Sequence, residues 1–475
     1  MKNRETFYWY DLETFGLNPK LDRIAQFAGI RTDSDLNFID DEEPMVLYCR
    51  LSDDYLPDPS ACLVTGITPQ EVQEKGLTES QFISTINSIL SVPRTCAVGY
   101  NSLRFDDEFL RNTLFRNFHD PYKREWENGN TRWDILDLVR ATHDLRPEGI
   151  NWPVNAETGN PSFKLTALTE ANGISHEHAH DALSDVYATI EMARLIRDKQ
   201  PKLFDYYLSL RDKQVVKDKL QVPMGEPVLL TAAQYTRNQG CTTLVVPITQ
   251  TASNPNSIIV FDLMEDPRTL LFMPDEKFFT VHGINRIALN RCPFVSPLAV
   301  LTEPVADRLG IDKETCLANL ALLRANPLLP VRIRMASSQD DQTPAKDVDS
   351  SLYSGKFLSN ADSSRFAKIR STTPDELWNL NFKFDDSKYH ELLRRYISRN
   401  WPESLSPERK REWREYCSER LKKAPGDDIL NLESYQKLID DKLADKSTAE
   451  RERGILMMLD AWGKEVRQRV FSRAP

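Results

Sequence analysis

Two carboxylates set two residues apart in a run of large apolar side chains, FYWYDLETFG from Phe7 to Gly16, constrain this chain more than any other feature. The run reads as a β-strand from Phe7 to Thr14, and the two-residue period of a strand puts Asp11 and Glu13 on one face. Alternating acids are ordinary on a solvated edge strand. Here Phe7, Trp9 and the run Ala25 to Ile30 point instead to a central strand, where unpaired carboxylates are costly unless a cation neutralises them. A bound metal ion would offset that cost.

The 475 residues leave room for about three domains of roughly 150 residues each. From Glu5 to about Pro201 strands alternate with helices, the strands at Phe7 to Thr14, Ile24 to Thr32, Met45 to Cys49 and Thr95 to Tyr100. Leu183, Val186, Tyr187, Ile190, Ala193 and Ile196 recur at helical spacing and form one apolar face to pack on a sheet. Residues 1–200 are therefore expected to be an α/β domain. After helical sequence to about Leu220, short β-rich runs at Val228 to Thr231, Thr242 to Ile248, Ser257 to Leu263 and Thr269 to Met273 predict a small β-barrel in 201–349, with a helix at about Lys313 to Asn326. Ala336 to Ser350 carries almost no large apolar residue and reads as an exposed linker. Residues 350–475 read as helical, with Ser406 and Pro407 as N-cap and first helical position and a capping box over Ser447 to Glu450.

Composition narrows the function classes. Lys and Arg total 61 against 71 Asp and Glu, a net charge of -10, so any nucleic-acid binding must come from local clustering of cations. The seven cysteines are scattered, odd in number and without a C-x-x-C pair, which argues against a disulfide framework or a zinc finger. No apolar run approaches the roughly 20 residues that cross a bilayer, and no secretory h-region is read at the N-terminus. A cytoplasmic protein without a membrane partner is expected.

Two further segments add carboxylates. In GYNSLRFDDEFL a buried strand ends near Tyr100, a polar loop follows and Asp106 opens a helix, which sets a carboxylate at the C-terminal edge of the sheet. Asp107 or Glu108 beside it serves the helix dipole. In AHDALSDVYAT, His180 precedes the strongest helix and Asp185 lies inside it five residues later. His176 and His178 read as a solvated polar loop.

In this order Asp11, Glu13, Asp106, His180 and Asp185 resemble the signature of the DnaQ-like 3′-to-5′ exonucleases whose third motif is H-x-x-x-x-D. VTGIT at Val64 to Thr68 and FKLTAL at Phe163 to Leu168 resemble segments of the same superfamily. DLETFG, QFAGIRTD, DDYLP, LRPEGINWP and QPKLFDY extend the resemblance to the bacterial exonuclease I family over essentially the whole chain. It implies an α/β, RNase H-like mixed-sheet exonuclease domain, then an SH3-like β-barrel domain, then an α-helical C-terminal domain. It also implies processive hydrolysis of single-stranded DNA to mononucleotides from the 3′ end, in DNA repair and recombination.

Four carboxylates are hard oxygen ligands suited to two Mg²⁺ ions, with Mn²⁺ able to substitute, which can clamp the attacking and leaving oxygens of a phosphodiester. Asp11, Glu13, Asp106 and Asp185 are the expected metal ligands, and Glu13 also faces substrate. His180 is expected to accept the proton of the attacking water. Lys164 stands where the family carries a basic residue for the scissile phosphate.

From Arg111 to Arg140, basic residues interleave with aromatic ones, a composition that tracks phosphates and stacks bases. Arg111, Tyr122, Trp126 and Arg140 are the expected DNA contacts there, and Lys213, with Arg211, Lys217 and Lys219, extends the track. The opposite reading places the tryptophans in the core and pairs the arginines with Glu125, Glu127, Asp134 and Asp137. The family further implies a basic pocket for the acidic C-terminal tail of single-stranded-DNA-binding protein, for which Arg146, Tyr206 and Arg332 or Arg334 are the candidates. A monomer is expected. The alternatives are a 3′-to-5′ exoribonuclease, since none of the five catalytic residues reads the sugar, and a catalytically inactive single-strand-binding scaffold.

Overall fold

In the computed structural model, which describes residues 4–176, 181–339, 345, 347–422 and 429–471, the acidic strand lies at the centre of a five-stranded mixed sheet. β1 (Thr6–Thr14) pairs antiparallel with β2 (Ile24–Asp33), which pairs antiparallel with β3 (Met45–Tyr48). On its other side β1 runs parallel to β4 (Thr95–Gly99), and β4 runs parallel to β5 (Thr131–Asp134), giving the order β3-β2-β1-β4-β5. The pleat sends Phe7 and Trp9 into a core with Val98, Trp133, Val186 and Ile190, and Tyr8, Tyr10 and Leu12 into another with Phe27, Phe82, Ile86 and Phe109. The helix Ala182–Lys199 covers the first face and packs on β1 and β2.

A second, antiparallel sheet follows: β6 (Val228–Thr231), β7 (Thr242–Gln250), β8 (Ser257–Asp262), β9 (Ile284–Ala288) and β10 (Phe294–Pro297), in the order β10-β6-β7-β8-β9. The run Thr269 to Met273 is not one of its strands. Residues Arg268–Phe272 form a short helix, because Asp266 caps the Arg268 amide at 3.0 Å and Pro267 sets a helical entry. Four apolar residues are too few for periodicity to separate strand from helix. The core of this sheet is continuous with that of the first, and Asp144 seals the joint by accepting from the Cys241 amide at 2.8 Å and the Thr242 hydroxyl at 2.6 Å.

Helices Asn360–Arg370, Lys388–Asn400, Pro407–Lys422, Leu432–Ala444 and Glu450–Phe471 make up the C-terminal part. The expected capping box at Ser447 to Glu450 is replaced by a single bond two residues later, where the Glu452 carboxylate accepts from the Ala449 amide at 2.9 Å and the alanine offers no reciprocal acceptor. The expected exposed linker also needs correction at its far end. Asp349 is 1% exposed and bridges Arg395 at 3.0 Å and Arg399 at 2.5 Å. Asp54, from the first sheet's domain, accepts from Arg399 at 2.7 Å and lies 3.9 Å from Arg420. Burial alone would raise both carboxyls, yet the arginines hold Asp54 and Asp349 well below the usual carboxylate range. All seven cysteines are buried and free, and among the described residues no helix is long and apolar enough to cross a membrane.

A buried ion pair that loses one partner leaves an uncompensated charge. Asp54→Ala should therefore cost about 3–5 kcal/mol in urea unfolding. Folding lowers the Asp54 carboxyl, so its contribution is complete above about pH 4 and is lost as the pH falls through the folded value. Between about pH 4 and pH 2.5 the native sequence should lose more stability than Asp54→Ala.

Candidate active site

The β1–β4 ladder ends at the pair Trp9–Val98, and beyond it β1 continues while the chain after Gly99 turns away. The Leu12 amide, left without a strand partner on that side, donates to Asp106 Oδ1 at 3.0 Å. Asp106 thus reaches the end of β1 from the first turn of the helix Asp106–Arg116. The loop between is fixed by Asp134 at the end of β5, whose carboxylate accepts from the Asn101, Leu103 and Leu136 amides at 2.9, 3.2 and 3.0 Å. Asp134 is a positioning residue that sequence reading missed. Its only signal was an acid at a strand-to-helix junction.

Carboxylate oxygens of Asp11, Glu13 and Asp185 lie within 4.8 Å of one another. Asp185 comes from the first turn of the helix Ala182–Lys199, which the N-cap Asp181 opens by accepting from the Ser184 amide at 3.2 Å. Burial, and then the charge of Asp106 ahead of those of Asp185 and Asp181, raises the Asp11 carboxyl well above its ordinary value. Burial and the charge of Asp11 push Glu13 up to about 9. Burial likewise raises Asp106. Acids packed this closely at a sheet edge are a cation site in waiting, and their hard oxygens fit a divalent ion.

Asp107 shows the contrast. It is as buried as Asp106, yet Arg132 and Arg124 reach its two oxygens at 2.6 Å and Tyr10 donates its hydroxyl at 2.9 Å, so its carboxyl is held below the usual range. One residue along the helix separates a charge that the protein pairs from one that it leaves for a cation.

The histidines divide differently from expectation. His180 and His178 lie outside the described residues. His176, expected in a solvated loop, is instead buried, its side chain 4% exposed, with Nε2 2.5 Å from Asp185 Oδ1 and Nδ1 3.2 Å from Thr169 Oγ1. The helix Leu165–Ala171 that carries Thr169 supplies this cover, which nothing in the local sequence signals. Lys164 is exposed at the N-cap of that helix, and the Tyr100 hydroxyl ties the adjacent Phe163 carbonyl to the end of β4 at 2.5 Å.

The basic and aromatic stretch from Arg111 to Arg140 combines ion pairs with exposed side chains. Arg111, with 5% of its side chain exposed, is closed by Glu108 at 2.8 Å and Glu125 at 2.7 Å. Arg140 pairs with Asp137 at 2.8 Å, Arg116 with Glu79 at 3.0 Å, and Trp133 is core. Arg111 and Arg140, expected as DNA contacts, thus each carry a carboxylate partner within the chain, while Arg140 keeps 12% of its side chain exposed and a guanidinium nitrogen without a hydrogen-bond partner. Tyr122 is half-buried beneath Arg111, whereas Trp126, 64% exposed, and Lys213 remain on the surface. Arg211 is taken by Glu5 at 2.7 Å. Of the tail-pocket candidates, Arg332 is closed by Asp275 at 2.5 Å and Tyr206 bonds the Val295 carbonyl at 2.6 Å beneath the Lys219 ammonium. Arg146 is exposed, and Arg334 lines a cavity of about 850 Å³ with Val331 and Met335.

Comparison with known proteins covers the chain in three consecutive matches: an exonuclease family model at residues 8–193, the exonuclease I SH3-like domain at 211–336 and the exonuclease I C-terminal domain at 346–466. Exodeoxyribonuclease I of Escherichia coli K12 is 42% identical over 429 residues, spanning 87% of this chain and 90% of the relative. The zinc-bound form of an E. coli ExoI–ssDNA complex superposes with a TM-score of 0.91 at 39% identity, covering 98% of this chain and 100% of the other. A structure described as SSB/Exonuclease I in complex with an inhibitor superposes equally well, at 0.91, 39% and the same coverage.

Because folding raises Glu13 to about 9, the cluster opposes folding increasingly as the pH rises from about 4.5 toward that value, unless a cation pairs with it. In chelator, the protein should melt progressively lower between about pH 5 and pH 9, and Mg²⁺ or Mn²⁺ should remove that decline. Glu13→Gln should be more stable than the native sequence in chelator at pH 8, by about 1–3 kcal/mol, and should respond less to metal.

Proposed function

The chain belongs to the exonuclease I family, and from that premise we propose that Asp11, Glu13, Asp106 and Asp185 form the reaction centre of a single-strand-specific nuclease. It is a 3′-to-5′ exonuclease of single-stranded DNA, a hydrolase of phosphodiester bonds. The observation that carries the assignment of residues is the cluster itself, three carboxylates within 4.8 Å at the end of a central strand, with Asp11 and Glu13 raised by burial and by their neighbours' charge.

Divalent ions held by these oxygens supply the positive charge that stabilises the attacking and leaving oxygens at the phosphorus. Two Mg²⁺ ions, replaceable by Mn²⁺, are the proposed complement. Glu13 faces the terminal nucleotide as well as the ions. Lys164, exposed beside the sheet edge through the Tyr100–Phe163 bond, neutralises the scissile phosphate. His180 takes the proton of the attacking water, at a reference pKa of about 6.5 suited to neutral pH. Trp126 stacks on a base and Lys213 contacts the backbone farther from the cut, with Tyr122 in support.

The division into 1–200, 201–349 and 350–475 assigns catalysis to the first unit and strand retention to the other two. Single-stranded-DNA-binding protein is the proposed partner, with its acidic tail against cations among Arg146, Lys219 beside Tyr206, and Arg334. A cytoplasmic monomer serving DNA repair and recombination completes the reading.

Incubation with 5′-labelled single-stranded DNA, duplex DNA and single-stranded RNA, each with Mg²⁺ or chelator, tests it. Metal-dependent shortening of single-stranded DNA from its 3′ end is expected, with duplex and RNA spared. Asp185→Ala should lower the rate by at least about 100-fold and leave strand binding within a few-fold. Preference for RNA would overturn the substrate, and an Asp185→Ala protein with native activity would overturn the site.

A further inference from the structure

Glu108 stands two residues after Asp106, in the first turn of the helix Asp106–Arg116, and is 9% exposed. Its carboxylate collects donors from all three parts of the chain. Arg111, one turn along the same helix, reaches Oε1 at 2.8 Å, and so does Arg291, from the turn Leu289–Arg291 between β9 and β10. Tyr353, at the entrance to the C-terminal helices, donates its hydroxyl to Oε2 at 2.5 Å. Burial raises the Tyr353 phenol, so it remains a donor at every working pH.

No other requirement of the helix accounts for these contacts. A first-turn acid serves the helix dipole equally well when it faces solvent. Here the acid is drawn inward, and Arg291 and Tyr353 are each about two-fifths exposed, so the junction lies at a rim where the two accessory parts meet the catalytic one. It is also within one helical turn, about 5 Å of axis, of a carboxylate at the reaction centre.

We propose that Glu108 is a positioning residue, a latch that draws the SH3-like and C-terminal domains together beside Asp106 and keeps a single strand engaged between successive cleavages. The proposal rests on the exonuclease reading above. The latch acts after the first cut: hydrolysis of a bound 3′ end is the work of the carboxylate cluster with Lys164 and His180, whereas retaining the shortened strand requires that the two domains stay closed. Their side chains meet through hydrogen bonds at a partly exposed rim, so opening needs no unfolding.

The test uses the full chain with a long 5′-labelled single strand, bound before Mg²⁺ is added together with excess unlabelled strand, so that each molecule binds once. Two quantities are read: the rate of the first nucleotide release and the number removed before dissociation. Glu108→Gln and Tyr353→Phe should each shorten the run by about 5-fold or more, as expected for a lost hydrogen bond to a charged group, with the first-release rate within twofold of native. Arg291→Lys, which keeps the cation, should retain most of the run. Tyr353→Phe removes one hydroxyl from a part-exposed ring, so a folding failure of Glu108→Gln would leave the question answerable. Native run lengths in both Glu108→Gln and Tyr353→Phe would overturn the latch, as would a first-release rate that falls in proportion to the run. A native protein that shortens no strand at all would instead overturn the exonuclease reading.

Discussion

Acidic groups with raised affinity for protons, packed at the end of one strand, set the terms for the rest of this molecule. Asp11 and Glu13 are where they are because β1 is central, and β1 is central because its alternate residues are large and apolar on both faces. Holding more acids against them requires scaffolding from elsewhere. Asp134 gathers three backbone amides so that the loop after β4 delivers Asp106, and a capped helix presents Asp185. Each of these devices is ordinary. Their convergence leaves one small volume with excess negative charge, a condition that neither hydrogen bonds nor burial relieves and that a divalent cation does.

The arginines are used in the opposite sense. Asp107, Asp54 and Asp349 are as deeply buried as the cluster, but each is flanked by guanidinium groups and its carboxyl falls instead of rising. These pairs occur where parts of the chain meet: Arg132 reaches both Asp107 and the Asn290 carbonyl, and Arg399 joins Asp54 to Asp349. A net charge of -10 therefore conceals an uneven distribution, with many cations spent inside the protein as joints.

That distribution explains what was legible in the sequence. The acidic strand, its partner β2, the long helix after Asp181 and the acids they carry are encoded by local periodicity and spacing, and all were readable. The ion pairs of Arg111 and Arg140 were not readable, because interleaved Arg and aromatic residues look alike whether they line a groove or an ion network. The carboxylates that decide the matter come from Glu108, Glu125 and Asp137 through tertiary folding. Asp349 was missed for the same reason, since an arginine pair brought from distant sequence buries it, whereas His176 is covered by contacts with the neighbouring helix Leu165–Ala171 and with Asp185 that its polar surroundings do not signal. The short helix Arg268–Phe272 depended on a cap too local for a four-residue apolar pattern to reveal.

The connection to the C-terminal helices has a consequence of its own. Ser337 is fastened on one side, accepting from the Ala252 amide at 2.9 Å, and Asp347 on the other, accepting from Arg395 at 2.8 Å. Nine residues separate them, a contour of at most about 36 Å. Were the Asp54–Arg399 bridge and the apolar cores shared with the first domain to open, the C-terminal part would stay leashed within that radius of its seat, at an effective concentration in the millimolar range. Re-docking is then a unimolecular event, insensitive to how dilute the protein is. The covalent leash and the buried anion at its end divide the work, one limiting how far the domain strays and the other fixing where it returns.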